Sequence, residues 1–229
     1  IALRRIGSSS HELERDPVAK REFQDRLMNA EKVEEAVLSE FLHQPQAHRW
    51  EFRGKFLIIN HKKDLQQRLS ESLLLIYPCA PVFRNELINR DRPSGQAVMA
   101  RNKLMTAMLL NAHQVDLGFP SKSFPAEKAM YRALFRETGI HKVPDEIGAH
   151  CFFQKPANDK FGKIAPAWER IEHFIRSTDS EAKSLVELNE ELMMPPYGVK
   201  AGVLPLLYFA AYLVNQSSIG VFENRRFRP

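Results

Sequence analysis

The sequence predicts a mostly α-helical protein with small β-hairpins, whose helical subdomains end in a winged-helix-like C-terminal unit. Three observations predict this class. Apolar residues recur at spacings of three and four in several long segments, and strand formers are confined to short stretches beside tight turns. The chain closes on an apolar helical segment followed by a hairpin pattern. Of 229 residues, 44% are hydrophobic and 27% charged, which is typical of a globular protein with a buried core.

The first predicted subdomain, residues 16–112, follows a linker at residues 1–15. Its first helix begins behind Asp16, a capping residue, with Pro17 at the first helical position. An apolar stripe runs along one face, opposite a face of Glu, Lys and Arg; it consists of Phe23, Leu27, Ala30, Val33, Val37 and Phe41. We expect this amphipathic helix to dock on another surface.

A hairpin and further helices complete this subdomain. "HRWEFRGKFLIIN" places strand formers on both sides of an Arg-Gly turn. A helix is predicted from about Lys62 to Tyr77, where the two prolines of "YPCAP" end it. "RNELINR" is predicted as a short helix, and Pro93 and Ser94 begin a longer one.

The second predicted subdomain, residues 118–229, begins with the helix of "FPAEKAMYRALFRETGIHK", which ends at the C-cap residue Gly139. "HCFFQKP" is a candidate single strand. Two helices follow, in "APAWERIEHFIRST" and "SEAKSLVELNEELMM", the second with Ser180 as its predicted N-cap.

The closing segment, "MMPPYGVKAGVLPLLYFAAYLVNQSSIGVFENRRFRP", admits three interpretations: a membrane anchor, a buried helix, or a helix and wing that grip nucleic acid. Ala201 to Val214 is a run of only 14 uncharged residues, whereas a spanning helix needs roughly 20. Apolarity on all sides instead predicts a buried helix. We therefore expect no membrane partner.

The order of helix, "PPYG" turn, helix and hairpin is that of winged-helix modules. A recognition helix needs an exposed cationic or polar face, and Leu204 to Val214 offers almost none beyond its tyrosines, with Lys200 near its start. This helix is therefore better suited to packing against protein. The hairpin that follows is the better candidate for contact with a polyanion.

The charge distribution permits a nucleic-acid partner. The net charge is +5, and between Arg49 and Arg68 six cations stand against two acids. Double-stranded DNA is the candidate ligand, and a solvated surface is the alternative interpretation of each basic cluster. The predicted nucleic-acid contacts are Arg225, Arg226, Arg228, Lys200, Arg53, Lys55, Lys62 and Lys63.

The sequence offers no recognisable catalytic, cofactor or metal site. Neither the P-loop spacing nor GxGxxG appears among the glycines, and the eight histidines are dispersed. Cys79 has no adjacent base, and Cys151 follows His150 in a strand, where neighbours point to opposite faces. Both cysteines are expected to be free thiols in a reducing, cytoplasmic setting. We expect no enzymatic activity from these residues.

A polar block surrounds Leu87 and Ile88 in "RNELINR". Its polar groups either connect neighbouring helices or contact a partner through Arg84, Arg90 and Arg92. The connector is the simpler interpretation, and the partner is a second protein or an ATPase domain.

Three stretches resemble a known family. "YPCAPVFRNELINRDRPSGQAVMARNKLMTAML", "FPAEKAMYRALFRETGIH" and "PPYGVKAGVLPLLYFAAYLV" with "IGVFENRRF" resemble segments of large bacterial phage-defence proteins, the P-loop ATPases of BREX-type phage-exclusion systems and their relatives. The resemblance covers roughly Tyr77 to Pro229.

The resemblance implies a non-catalytic, accessory or regulatory C-terminal part of a defence ATPase, which binds DNA, other defence-system proteins or the remainder of its own longer chain. The nucleotide-binding loop would then lie upstream of Ile1, and we expect the chain to start in the middle of a longer protein. Two rivals stay open. One is a pure assembly module without nucleic-acid contact, and the other is a stand-alone winged-helix transcription regulator, which would need a cationic recognition helix.

Overall fold

The computed structural model describes residues 16–144, 149–157, 163–223 and 226–228, with Arg228 described by its backbone only. The predicted mostly α-helical class is confirmed. The chain divides into two compact units, Ile1–Leu73 and Leu74–Pro229. In the described residues, no helix is both long enough and apolar enough to cross a bilayer.

The N-terminal unit begins with helix α1 (Pro17–His43). The Asp16 carboxylate caps it, accepting hydrogen bonds from the amides of Val18 at 2.9 Å and Ala19 at 3.1 Å. The predicted cap and helix are therefore confirmed. No residue of α1 is buried, and the described part of the chain leaves most of its apolar stripe uncovered. The exception is Phe41, whose ring centre lies 4.2 Å from that of His48 and 6.0 Å from that of Trp50.

A small antiparallel hairpin follows α1. Strands β1 (Trp50–Phe52) and β2 (Lys55–Leu57) pair with Glu51 opposite Phe56. Trp50 ties the hairpin to the preceding turn, because its indole Nε1–H donates to the carbonyl of Pro45 at 2.7 Å. Helix α2 (Lys62–Ile76) comes next, and the division between the units falls in its last turn.

The core of the C-terminal unit lies among five helices: α3 (Gly95–Leu110), α4 (Ala126–Tyr131), α5 (Ala165–Arg176), α6 (Leu185–Met193) and α7 (Leu204–Asn215). A π-helical turn, Arg132–Arg136, continues α4. Helix α3 packs against α4 and α7, and α5 packs against α6 and α7. Large side chains of the core include Leu104, Met108, Met130, Tyr131, Leu134, Phe135, Trp168, Ile171, Leu192 and Leu207.

Helix α7 is buried on most sides, as its apolarity predicted. Leu206, Leu207 and Ala210 are fully covered. Burying a leucine side chain stabilises a fold by about 1.5–3 kcal/mol, so this helix contributes strongly to the C-terminal unit. Its remaining polar group on the packed side, the Tyr208 hydroxyl, donates to Asn189 Oδ1 at 2.8 Å.

The described residues contain three two-stranded sheets, one more than the two predicted hairpins. The additional sheet pairs β3 (His141–Lys142) with β4 (Phe152–Phe153). Strand β4 lies in "HCFFQKP", as predicted, but it is paired with β3, a two-residue partner that was not predicted. The tail hairpin, β5 (Val221–Glu223) with β6 (Arg226–Arg228), lies where it was predicted.

The boundary between the units differs from the predicted break between residues 112 and 118. Helix α3 shares one core with α4 and α7, because Leu104 and Met108 pack into the same cluster as Met130 and Leu207. The segment from Leu74 onwards therefore belongs to a single compact unit.

Two local predictions were wrong. "RNELINR" forms consecutive turns instead of a helix. The Asn89 amide donates to the Asn85 carbonyl at 3.1 Å, as in one helical turn, but the Arg90 amide donates to the Ile88 carbonyl at 2.8 Å, which ends the helical pattern. Helix α6 is capped by Ser184 and not by Ser180; the Ser184 hydroxyl accepts the Val186 amide at 3.2 Å.

Candidate functional site

The first hairpin presents cations over aromatic rings. The Arg49 guanidinium lies 3.9 Å from the centre of the Phe56 ring, and that of Arg53 lies 5.3 Å from the centre of the Phe52 ring. Both arginines are exposed, as is Lys55. Both distances are within the range of a cation–π contact, which orders the arginine side chain beside the ring.

The turn of this hairpin explains its shape. Arg53 and Gly54 have φ of +50° and +76°, the left-handed pair that a tight two-residue hairpin turn requires. Glycine adopts this conformation freely, and the arginine is carried at the tip.

Two more cations begin α2, where the helix dipole disfavours positive charge. Lys62 and Lys63 occupy its first turn and are exposed. Asp64 offsets the dipole, because its carboxylate accepts the amides of Asn60 and His61 at 3.2 Å each. Four of the predicted nucleic-acid contacts, Arg53, Lys55, Lys62 and Lys63, therefore lie in the N-terminal unit.

The tail hairpin combines cations with aromatic rings. Phe222 faces Phe227 across the two strands, with ring centres 5.6 Å apart, and both are more than half exposed. Arg226 is exposed and pairs in register with Glu223. Arg228 is described only as strand backbone, opposite Val221, and Arg225 lies outside the described residues.

Lys200 stands in a different environment from the one predicted. Helix α7 begins at Leu204, so Lys200 lies in the preceding turn and not at the helix start. Its ammonium nitrogen is 2.9 Å from a carboxylate oxygen of Asp91. This ion pair is half-exposed and therefore weak, but it directs Lys200 toward the "RNELINRD" segment.

The "PPYG" turn packs directly on segments more than a hundred residues earlier. Cys79 N–H donates to the Pro196 carbonyl at 3.1 Å, and Gly202 N–H donates to the Arg90 carbonyl at 2.9 Å. We call this region the motif junction; it comprises Tyr77–Cys79, Ile88–Asp91 and Pro196–Gly202.

Two glycines permit this close approach. A side chain on Gly202 would place its Cβ 2.3 Å from the Ile88 carbonyl oxygen, and one on Gly198 would lie 2.8 Å from the Tyr77 ring. Both distances are far below van der Waals contact, so only hydrogen fits. Packing therefore requires the two glycines of "PPYGVKAG". The sequence shows where these glycines stand but not what they contact.

The predicted partner contacts border this junction. Arg84, Arg90 and Arg92 are all exposed. Arg90 lies 3.8 Å from Glu86, a loose surface pair, while its backbone carbonyl holds Gly202. The backbone of this polar block therefore connects two segments, and its three arginines are exposed; contact of these arginines with a partner stays a prediction.

A cleft of about 170 Å³ beside α5 and α6 was not anticipated from the sequence. Arg170 makes a bidentate hydrogen bond to Glu191, which lowers the pKa of the Glu191 carboxyl. His173 Nδ1 is 3.4 Å from an Arg170 nitrogen, and Lys183 and Glu187 complete the charged lining. The positive and negative groups that line the cleft balance each other, so the cleft has no net charge that would attract an anion or a cation.

A buried polar chain lies in the core of the same unit. His141 Nε2 donates to the Ala112 carbonyl at 2.8 Å, so in the neutral ring Nδ1 accepts the hydroxyl of Tyr131 at 2.7 Å. Burial lowers the pKa of His141 and raises that of Tyr131. Both groups are satisfied and fully covered, which is typical of a structural network.

The described residues contain no group of three or more His, Cys, Asp or Glu side chains arranged to hold a metal ion. Glu172, which lies one position before His173 on α5, accepts the Trp168 indole N–H at 2.8 Å. It therefore has a structural partner.

A comparison of the chain with protein-family models, curated proteins and solved structures gave no match. Inferences about function therefore depend on the geometry described above and on the sequence itself.

Proposed function

We propose that this chain is a non-catalytic accessory module of a bacterial antiphage defence ATPase and that it contacts double-stranded DNA through its first hairpin. The observation that carries the proposal is the exposed pair of arginine–aromatic stacks, Arg49 on Phe56 and Arg53 on Phe52. Lys55, Lys62 and Lys63 extend the same short stretch of chain and are also exposed.

This arrangement suits a phosphate backbone. Phosphates are recognised by N–H donors of lysine and arginine, and neutralising them releases bound counterions. An arginine stacked on a ring is partly ordered before it binds, so it loses less conformational entropy on contact. No buried charge has to be exposed for the hairpin to meet DNA.

The tail hairpin is a second candidate contact, in a winged-helix-like order of α6, α7, β5 and β6. Because α7 is mostly buried, the wing and not the helix would touch DNA. Lys200 contributes less than predicted, because contact with a phosphate would compete with its Asp91 partner.

The ATPase context rests on the resemblance of three stretches to phage-exclusion ATPases. Its support in the fold is that two of these stretches meet at the motif junction, and that α3, α4 and α7 from all three share one core. Residues that recur together in a family are expected to pack together. In this proposal the module acts in the bacterial cytoplasm, beside a nucleotide-binding domain.

DNA binding is tested by fluorescence anisotropy of a labelled duplex at several salt concentrations. Neutralising Arg53, Lys55, Lys62 and Lys63 to glutamine should weaken binding at least about tenfold. It should also flatten the salt dependence by about 0.9 in slope for each phosphate that the variant no longer neutralises. The matched control neutralises four exposed cations elsewhere, Lys103, Lys122, Arg136 and Lys183. Equal weakening in both variants, or no binding at micromolar protein, would refute the proposal.

A pure assembly module is the second candidate function. The exposed apolar stripe of α1 and the exposed arginines Arg84, Arg90 and Arg92 favour it. Size-exclusion chromatography with candidate partner proteins separates the two: complex formation that survives high salt, without DNA binding, would support assembly. A stand-alone transcription regulator is less favoured, because α7 carries no basic residue.

A further inference from the structure

Helix α1 exposes apolar residues along most of its length. Val33 is 64% exposed, Val37 45% and Phe41 37%, while Phe23 and Leu27 are half-buried. A 27-residue helix of about 40 Å is long enough to pair along several turns. Isolated amphipathic helices depend on such packing for their stability.

Six positions of α1 are symmetric about Lys32; five of them belong to the apolar stripe, and the sixth is Glu34 in place of Val33. Phe23 and Phe41 each lie nine residues from it, Leu27 and Val37 five, and Ala30 and Glu34 two. In two antiparallel copies related by a two-fold axis at this position, Phe23 of one helix meets Phe41 of the other, and Leu27 meets Val37. Small Ala30 lies opposite the longer Glu34. These positions form an a/d seam of almost three heptads.

The charges beside the seam match the same orientation. Arg26, Val33 and Glu40 follow one another at intervals of seven and line one edge of the stripe. In the antiparallel pair the rows of the two copies lie side by side in opposite directions, with Val33 of one copy beside Val33 of the other. Arg26 of each copy then faces Glu40 of the other. A parallel pair would instead place Arg26 beside Arg26 and Glu40 beside Glu40.

The two halves of the helix are also complementary. Residues 17–30 carry a net charge of +1 and residues 31–43 a net charge of −3, with histidine neutral. An antiparallel pair places the positive half of each helix beside the negative half of the other. On the other edge of the stripe Glu31 meets Glu31, a like-charge contact that weakens the pair.

We propose that α1 mediates antiparallel self-association, with a second copy of this chain as the occupant of its apolar stripe. A self-complementary surface of this kind is what a two-fold homodimer requires. The proposal is separable from DNA binding, because its charged pair, Arg26 and Glu40, lies on α1 and in neither hairpin, although the Phe41 ring centre is 6.0 Å from that of Trp50 in β1.

The test is sedimentation equilibrium of the whole chain from low micromolar to about 200 µM, a range suited to the weak pairing of a short helix. We expect a concentration-dependent dimer. Arg26→Glu should weaken it at least about tenfold by opposing Glu40. The double variant Arg26→Glu/Glu40→Arg should restore it, because the two charges exchange places.

Lys32→Glu is the matched control: it makes the same change in charge on the outer face of α1 and should leave the dimer intact. Circular dichroism must show equal helix content, because Arg26 also pairs with Glu22 within the helix. A monomer at every concentration, or a dimer that ignores Arg26→Glu or is not rescued by the double variant, would overturn the proposal.

Discussion

Helices α1 and α7 were both recognised from their apolar residues, yet they end in opposite environments. Helix α7 is buried in the core of the C-terminal unit, with Leu206 and Leu207 fully covered. Helix α1 has no buried residue in the N-terminal unit, although it is more than twice as long. Apolar periodicity therefore identifies a helix face that is suited to burial, but it does not show whether the same chain buries it.

The comparison extends to the two units. The C-terminal unit holds one continuous core drawn from five helices. The N-terminal unit has few buried side chains among its described residues, chiefly Ile59, Leu65 and Pro45. We expect its stability, more than that of its neighbour, to depend on a partner.

The strongest test of this contrast removes a leucine from each helix. Leu207→Ala should lower the free energy of unfolding by about 2–5 kcal/mol, because it leaves a cavity in a closely packed core. Leu38→Ala on α1, where the side chain is 54% exposed, should change it by less than about 0.5 kcal/mol in dilute solution. Urea unfolding followed by circular dichroism measures both. Similar destabilisation of the two variants would mean that α1 is covered after all.

A glycine substitution tests the motif junction. Gly202→Ala should cost about 1–3 kcal/mol, because the new methyl group meets the Ile88 carbonyl and the two segments must separate. Gly95→Ala is its control, since that position in the first turn of α3 opens on empty space. Thermal unfolding compares the two variants. If Gly202→Ala is as stable as Gly95→Ala, the junction is not tightly packed.

The smallest expected effect concerns the buried polar chain of the C-terminal unit. Tyr131→Phe should cost about 1 kcal/mol, because it leaves His141 Nδ1 without its donor.

The same chain makes stability depend on pH. The folded-state pKa of His141 lies below its ordinary value, so the unfolded chain binds the proton more tightly. The contribution of neutral His141 to the free energy of unfolding is therefore complete above about pH 6.5, and it decreases as the pH falls below that value. Urea unfolding at pH 7.5 and 5.5 measures the change. His141→Gln should reduce the dependence, and an unchanged pH dependence would show that other groups cause it.

Much of the helical framework was predictable because its signals are local. Asp16 and Ser94 mark helix starts, because their side chains accept hydrogen bonds from amides two or three residues later, and Pro17 suits the first helical position through its fixed φ. The Arg-Gly turn identified the first hairpin in the same way. The prediction of Ser180 as N-cap was wrong because Ser184 is an equally suitable capping residue. The packing of Leu188 and Leu192 in the core fixes where α6 begins.

The sequence predicted which cations of the candidate site are exposed, but not how they are arranged relative to the neighbouring aromatic rings. Arg53 and Lys55 were identified from composition, but their neighbours Phe52 and Phe56 became relevant only through the stacks. Arg170 was missed, because its partner Glu191 lies 21 residues away on another helix. The Lys200–Asp91 pair spans 109 residues and has no local signal.

The sequence by itself determined where helices form, which faces are apolar and where positive charge gathers, because periodicity, capping and composition act over a few residues. Only the tertiary structure decided that "RNELINR" is a series of turns beneath "PPYG", that α3 joins the later helices in one core, and that the stripe of α1 is left uncovered. These outcomes depend on contacts between segments distant in the chain, and such contacts are selected by the shape and volume of the whole core.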